Sequence, residues 1–362
     1  MQKDDVEKYR VCYFPWTHIG LGWNKFSVCC VSPDEDFGEI IGFLPTEDIQ
    51  QTFNHANYQK LRGFLTNPSG ESPNVCTNCG VGANSSSISG FRSRQLSHLK
   101  RIEDAGQKER ARENLERALD SIYSKEIVVS HNPVIATITC GSACNIKCKF
   151  CYNCHMNYYP EASDLLNVVD QIHETLIEAT LTGGEPIVTK AGRALLEEFA
   201  TGKYKFAVSL FTNAQYADFK LYKPVNLVRV SISADGATKK VYEYVRKGGD
   251  FKDLIRNVKK FIEMKKEKPY LDITLNFTVS SDNYVDIPEA VKLYEGLGLR
   301  TGFQPVLREK DDPQNFAERP DLYDDVLKKV SEGIELSASA YTQGRLKQIE
   351  QLVLRKIEEN HC

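Results

Sequence analysis

Cys144, Cys148 and Cys151 stand in the run Cys144-Asn-Ile-Lys-Cys148-Lys-Phe-Cys151-Tyr152, and thiols at that spacing point to metal chemistry. Three thiolates on one tight loop can hold three irons of a four-iron cluster and leave the fourth iron without a protein ligand. An open coordination position is where a metal centre does chemistry, whereas a closed one mostly holds structure. The competing assignment is zinc, which favours four ligands in Cys-x2-Cys halves, with Cys154 available as the fourth.

Downstream, Leu181-Thr-Gly-Gly-Glu-Pro186 closes an apolar, β-branched run. Gly183 and Gly184 allow close approach of backbone to a ligand, and Glu185 adds a carboxylate; the same residues would also make an ordinary glycine-rich turn. Further runs end in Thr212-Asn213 and in Ser233-Ala-Asp235-Gly236. Ser233 can donate or accept a hydrogen bond, while Asp235-Gly236 is also a simple turn signal. Arg246 follows in Tyr242-Glu-Tyr-Val-Arg246-Lys-Gly-Gly249, where a guanidinium could pair with a carboxylate or lie on a helix surface.

Taken together, the Cys-x3-Cys-x2-Cys loop and the Gly-Gly-Glu turn resemble the radical SAM superfamily. The resemblance implies that Cys144, Cys148 and Cys151 hold a [4Fe–4S] cluster whose open iron chelates S-adenosylmethionine (SAM). It implies reductive cleavage of SAM to a 5′-deoxyadenosyl radical that takes hydrogen from a substrate. By the same likeness Phe150 packs on adenine, and Gly183, Gly184 and Glu185 meet the methionine amino group. Asn213 faces the cofactor, Ser233 meets its ribose or carboxylate, and Arg246 meets the carboxylate. Asp235 is the only nominee for a general acid or base. Asn276 and Gln304 are weaker candidates for contacts to nucleoside or substrate.

A second cysteine group lies near the N-terminus: Cys12, Cys29, Cys30, Cys76 and Cys79. It resembles a twitch, the short form of the SPASM module, placed here before the barrel rather than after it. Asn24 replaces the usual turn glycine and tolerates positive φ. The resemblance implies an auxiliary [4Fe–4S] cluster on Cys12, Cys29, Cys76 and Cys79, with zinc as the alternative, since the same ligands suit a tetrahedral ion. Cys30, next to Cys29 on a strand, would point to the opposite face. A fully ligated second cluster suits electron transfer, and with it a net oxidation of the substrate.

The elements that must position these residues show in the pattern from Pro133 onward. Apolar runs at Val134–Thr139, Ala179–Thr182, Phe206–Thr212, Leu227–Ser233, Leu271–Val279 and Gly302–Leu307 alternate with helical stretches at Ser163–Leu176, Ala191–Ala200, Lys239–Lys265 and Val285–Leu297. That alternation predicts right-handed βαβ units and a parallel sheet. The fold class expected is α/β, a partial (β/α)6 TIM-type barrel preceded by a small cysteine-rich module, with the site where strands end. Expected boundaries are 1–82 for the module, 83–130 for a linker with a charged helix from about Arg92 to Lys125, 131–310 for the barrel and 311–362 for C-terminal helices.

Composition narrows the partners. The 362 residues are 41% hydrophobic and 26% charged with a net charge of −3, values of an ordinary globular protein that give no reason to invoke nucleic acid. No run approaches the ~18 apolar residues that span a bilayer, and a charged N-terminus argues against a signal peptide. Eleven cysteines in a reducing compartment read as metal ligands rather than disulfides. The expectation is a cytoplasmic enzyme reduced by a flavodoxin or ferredoxin, acting on a small molecule or, alternatively, on a ribosomally made peptide. A non-catalytic electron-transfer protein is the contrasting class, and the glycine-rich SAM cradle argues against it.

Overall fold

A computed structural model describes residues 12–22, 25–28, 41–43, 48–66, 88–151, 153–306 and 311–361. Cys29, Cys30, Cys76, Cys79, Asn24, Tyr152 and the side chain of Cys154 lie outside the described residues. The fold is α/β, and its strands divide between two units.

In the first unit, β1 (His18–Gly22) continues into β2 (Lys25–Ser27) and β3 (Ile41–Phe43), which pair antiparallel in that order. On its other edge β1 runs parallel to β4 (Ile135–Thr139). β4 in turn pairs in parallel with β6 (Glu178–Thr182); β5 (Lys147–Cys148) belongs to the second unit. The parallel strand β1 has no counterpart in the strand pattern expected from sequence. It is short and two of its five residues are glycine, so it carries little of the β-branched signal that marks a strand. The geometry still requires those glycines. A Cβ on Gly20 would lie 1.9 Å from Ser27 Oγ, and one on Gly22 would lie 2.8 Å from the Thr139 side chain.

The charged segment expected as one helix is two, Ile88–Leu99 and Ala105–Tyr123. Asp104 stops the run by capping the second helix, its carboxylate accepting from Gln107 N at 2.6 Å, which satisfies an N–H the helix itself cannot. The first helix is not merely a solvated face. It presents Gln95 and His98 to the buried Glu178, which also accepts from Ser209 Oγ at 2.6 Å. A buried carboxylate needs such partners, because desolvation without them is costly.

The second unit holds the later strands. β7 (Ala207–Thr212) and β8 (Leu227–Ser233) begin in the first unit and end in the second. β9 (Arg246–Lys247) pairs antiparallel with β5 as a two-stranded ribbon. β10 (Asp272–Val279) runs parallel to β8 on one side and to β11 (Arg300–Pro305) on the other. One face of these strands is apolar: Val230, Ile232, Ile273, Leu275, Phe277 and Phe303 are buried. Helix Phe251–Glu267 buries Leu254, Val258 and Phe261, each contributing roughly 1.5–3 kcal/mol.

The helix expected over Lys239–Lys265 is interrupted. Helix Lys239–Val245 ends at the ribbon strand β9, and a new helix starts at Phe251. Gly248 takes φ +90, a conformation that favours glycine. Asp250 then caps the second helix, accepting from Lys252 N at 2.7 Å and Asp253 N at 3.2 Å. The signal for the break was present in Gly248-Gly249-Asp250, a turn followed by an N-cap residue.

At the C-terminus, helices Tyr323–Leu336 and Ala340–His361 pack on one another and the latter lies along β11. Arg345 Nε donates to Phe303 O at 3.0 Å, and Thr342 Oγ1 accepts from Thr301 N at 3.2 Å, so backbone groups of that edge strand are occupied. Among the described residues no helix is long and apolar enough to cross a membrane.

Candidate active site

In the first unit the ends of β4 and β6 meet through glycine. Gly183 has φ +128, and a Cβ there would sit 2.5 Å from Gly141 O. Gly184 N donates to that same carbonyl at 2.8 Å. The Gly-Gly pair therefore serves first to bring two strand ends together. Glu185 is buried, and its carbonyl accepts from Val188 N and Thr189 N as the next helix begins. Cys140 is packed away from solvent, its thiol pushed up to about 12 by burial, consistent with an inert core residue.

The cysteine loop belongs to the second unit. Cys144 is exposed, Cys148 and Cys151 are half-buried, and none of the three is in a disulfide. Cys151 N donates to Cys148 O at 3.1 Å, turning the chain so that both thiols come from one short arc. Burial pushes the Cys148 thiol up to about 11, against the opposing pull of Arg246. A cluster that takes up the thiolate charge removes that penalty. Among the described residues no three His, Cys, Asp or Glu side chains close tightly enough to share one ion. Three thiols on one short arc are a donor set that a four-iron cubane takes one per iron.

Asn213 reaches the loop directly. Its Nδ2 donates to Asn145 Oδ1 at 2.9 Å and lies 3.5 Å from Cys144 Sγ. A hydrogen bond to a cluster sulfur is one of the means by which a protein sets reduction potential. The turn that aims it is strained: Ala214 takes φ +54, a rare state for a residue with a Cβ. It is held by Asn257 Nδ2, which donates to Ala214 O at 2.7 Å. Nothing in the sequence marked Asn257.

Arg246 and Asp235 are placed differently from the roles the family resemblance gave them. Their side chains are 7% and 0% exposed and they pair with each other, Nη2 to Oδ2, at 2.5 Å. Asp235 Oδ1 also accepts from Thr278 N at 2.6 Å, and Asn283 Nδ2 donates to Asp235 O at 3.0 Å. Burial works against the Arg246 cation, but Asp235, Cys148 and Tyr242 together outweigh it and raise the guanidinium above its ordinary range. The pair is tied to the cysteine loop because Arg246 and Cys148 are register partners in the β5–β9 ribbon. Lys149 N, next in the loop, donates to Val245 O at 2.9 Å. Asp235 as placed is a buried partner of Arg246.

Ser233 lies in a polar face. In register across β8, β10 and β11 stand Arg229 with Asp272, Ser231 with Thr274 and Arg300, Ser233 with Asn276 and Gly302, and Thr278 with Gln304. These residues alternate with the apolar ones, so all share the face opposite the helices. Parallel strands usually have both faces covered by apolar packing. Here one of them carries a row of hydroxyls and amides instead, with Ser231 and Thr274 buried. Phe150 is half-buried within the cysteine loop. Of the second ligand set only Cys12 is among the described residues, half-buried.

A partial α/β barrel with a three-thiol loop and a glycine-rich strand end defines the class, and residues 138–293 match the Radical SAM superfamily. Those residues are a radical SAM domain. The probable GTP 3′,8-cyclase of Methanocaldococcus jannaschii is 24% identical over 171 residues, 44% of this chain and 55% of that protein. The sporulation killing factor maturation protein SkfB of Bacillus subtilis is 25% identical over 176 residues, 45% of this chain and 40% of that protein. The chain thus spans about half, or less, of the length of these relatives. Among solved structures, native anSMEcpe with bound AdoMet superimposes with a TM-score of 0.47 at 20% identity, covering 59% of this chain and 63% of that one. Streptococcus suis SuiB bound to precursor peptide SuiA gives 0.44 at 18% identity, covering 66% and 56%.

Proposed function

We propose that the chain is a radical SAM oxidoreductase acting on an uncharged, hydrogen-bonding substrate. The observation that carries this is the anchored three-thiol loop, with Asn213 on Cys144 and the ribbon register tying Cys148 to Arg246. When bound there, a [4Fe–4S] cluster with SAM supplies a 5′-deoxyadenosyl radical able to take hydrogen from an unactivated carbon. The chain's own residues hold and orient. Gly183 and Gly184 put no side chain between their backbone and a methionine moiety, Glu185 adds a carboxylate, Phe150 offers a ring for adenine, and Ser233 offers a hydroxyl for ribose.

The polar face bears on the substrate. Arg229 and Arg300 both pair with Asp272, at 3.9 and 2.5 Å. Its remaining residues, Ser231, Ser233, Thr274, Asn276, Thr278 and Gln304, are neutral donors and acceptors. Among the described residues this face offers a triphosphate only Arg229 and Arg300, and both are engaged by Asp272. A small neutral metabolite suits it better. A peptide is the second reading, favoured by the likeness to a maturation protein.

The N-terminal module, residues 1–82, is proposed to hold an auxiliary [4Fe–4S] cluster through Cys12, Cys29, Cys76 and Cys79 and to take an electron from the product radical. Zinc is the alternative at that site. Residues 83–130 would link it to the barrel, 131–310, with 311–362 covering the edge strand. A cytoplasmic setting and a flavodoxin or ferredoxin reductant complete the proposal. Anaerobic reconstitution followed by metal analysis tests it. About eight irons per chain, falling to about four in a Cys144→Ala/Cys148→Ala/Cys151→Ala variant, are expected. About four irons with one zinc would refute the auxiliary cluster.

A further inference from the structure

The β5–β9 ribbon has two unlike faces. Cys148 and Arg246, opposite one another, are turned inward, and Arg246 is buried. Lys147 and Lys247 are also direct partners, and both are exposed. Like charges directly opposite on a two-stranded ribbon destabilise it, so folding stability gives no reason for this pairing. Among the described residues neither lysine has a carboxylate partner. Lys149 follows in the turn just beyond β5. Its Nζ pairs with Asp282 at 2.5 Å and sits 4.0 Å from the centre of the Tyr244 ring. Tyr244 is 57% exposed, an uncovered aromatic beside Lys149.

We propose that this lysine face docks an acidic one-electron donor protein, of the flavodoxin or ferredoxin kind, which reduces the cluster held by Cys144, Cys148 and Cys151. The proposal rests on the cluster assignment made above. Side chains of neighbouring strand residues leave opposite faces of one backbone layer, so the cluster-bearing sulfur of Cys148 lies directly behind the lysines. A donor seated on Lys147 and Lys247 is therefore held within about 10–15 Å of the cluster, roughly one to one and a half sheet spacings. The step is a bare electron transfer: the donor loses one electron, the cluster gains one, and no bond or proton changes place. Unpaired cations at the point of entry would also steer an acidic partner, an effect of 10–10³ on association rates that fades with salt.

The experiment uses the reconstituted full chain and follows reduction of the cluster by stopped-flow absorbance and by EPR of the reduced state. Reduced flavodoxin is one donor and reduced methyl viologen, a small cation, is the other. In Lys147→Glu/Lys247→Glu the flavodoxin rate at low salt is expected to fall at least ~10-fold, while the viologen rate stays unchanged or rises. Lys147→Gln/Lys247→Gln should give an intermediate loss, and the salt dependence of the wild type should flatten in both variants. An unchanged flavodoxin rate would overturn the docking face, and so would an equal slowing with both donors. A wild-type chain that viologen cannot reduce would instead overturn the cluster assignment.

Discussion

Removing one member of the buried Asp235–Arg246 pair should be among the most damaging single changes in this protein. In Arg246→Gln, Asp235 remains 0% exposed with the Thr278 N–H as its main compensation. An uncompensated buried charge of this kind costs about 3–5 kcal/mol, a large share of the 5–15 kcal/mol that typically holds a domain. Asp235→Asn should cost a similar amount by stranding the guanidinium. The double variant Asp235→Asn/Arg246→Gln leaves two neutral groups able to bond each other, so its loss should fall short of the summed single losses by at least ~2 kcal/mol. Urea unfolding of the metal-free chain measures all three. The variants should also retain less iron on reconstitution, because Arg246 is the register partner of Cys148. Single losses that add within about 0.5 kcal/mol would show the pair is not coupled and refute its role in seating the cysteine loop.

Other outcomes follow from the same geometry. Gly183→Ala places a methyl 2.5 Å from Gly141 O at φ +128, so SAM affinity by equilibrium dialysis should fall at least ~10-fold, with strain of order 1–3 kcal/mol. Burial holds His18 and His131 down to about 4, below the ~6.5 of the unfolded chain. The unfolded state therefore binds more protons between those values. Stability should be full above pH ~6.5 and fall as pH drops toward ~4, by up to roughly 3 kcal/mol for each histidine. Acid unfolding curves of His18→Gln and His131→Gln should be correspondingly flatter. Asn213→Ala removes the donor to Cys144 Sγ and should lower the cluster's reduction potential, since hydrogen bonds to the sulfurs stabilise the more reduced, more negative state; redox titration followed by EPR would show it.

Much of this was legible in the chain. The six expected strands of the barrel appear within a few residues of their sequence boundaries, because each is a short apolar run, and those ending at Thr182 and Thr212 are closed at once by Gly183 and Asn213. The chemistry-bearing loop was legible for a different reason: thiols at fixed spacing have few other uses. Three things were hidden. β1 has a single β-branched residue, Ile19, to announce a strand, and its glycines are explained only by Ser27 and Thr139 across the sheet. The ribbon β9 was masked by helical periodicity on both sides, although Gly248-Gly249-Asp250 marked the break. The partner of Arg246 could not be read at all, since Asp235 lies eleven residues away and pairing depends on how the chain folds back. An arginine expected to meet a ligand instead meets a neighbouring carboxylate, and that is a tertiary fact.

The central claim is that Cys144, Cys148 and Cys151 hold a cluster that cleaves SAM. The most direct measurement is anaerobic incubation of the reconstituted chain with dithionite and SAM, following 5′-deoxyadenosine by chromatography and the cluster by EPR. The expected result is nucleoside formation and a change in the reduced-cluster EPR signal when SAM is added, both lost in Cys148→Ala. A fully reconstituted, reducible cluster that neither changes its signal with SAM nor releases 5′-deoxyadenosine would contradict the claim.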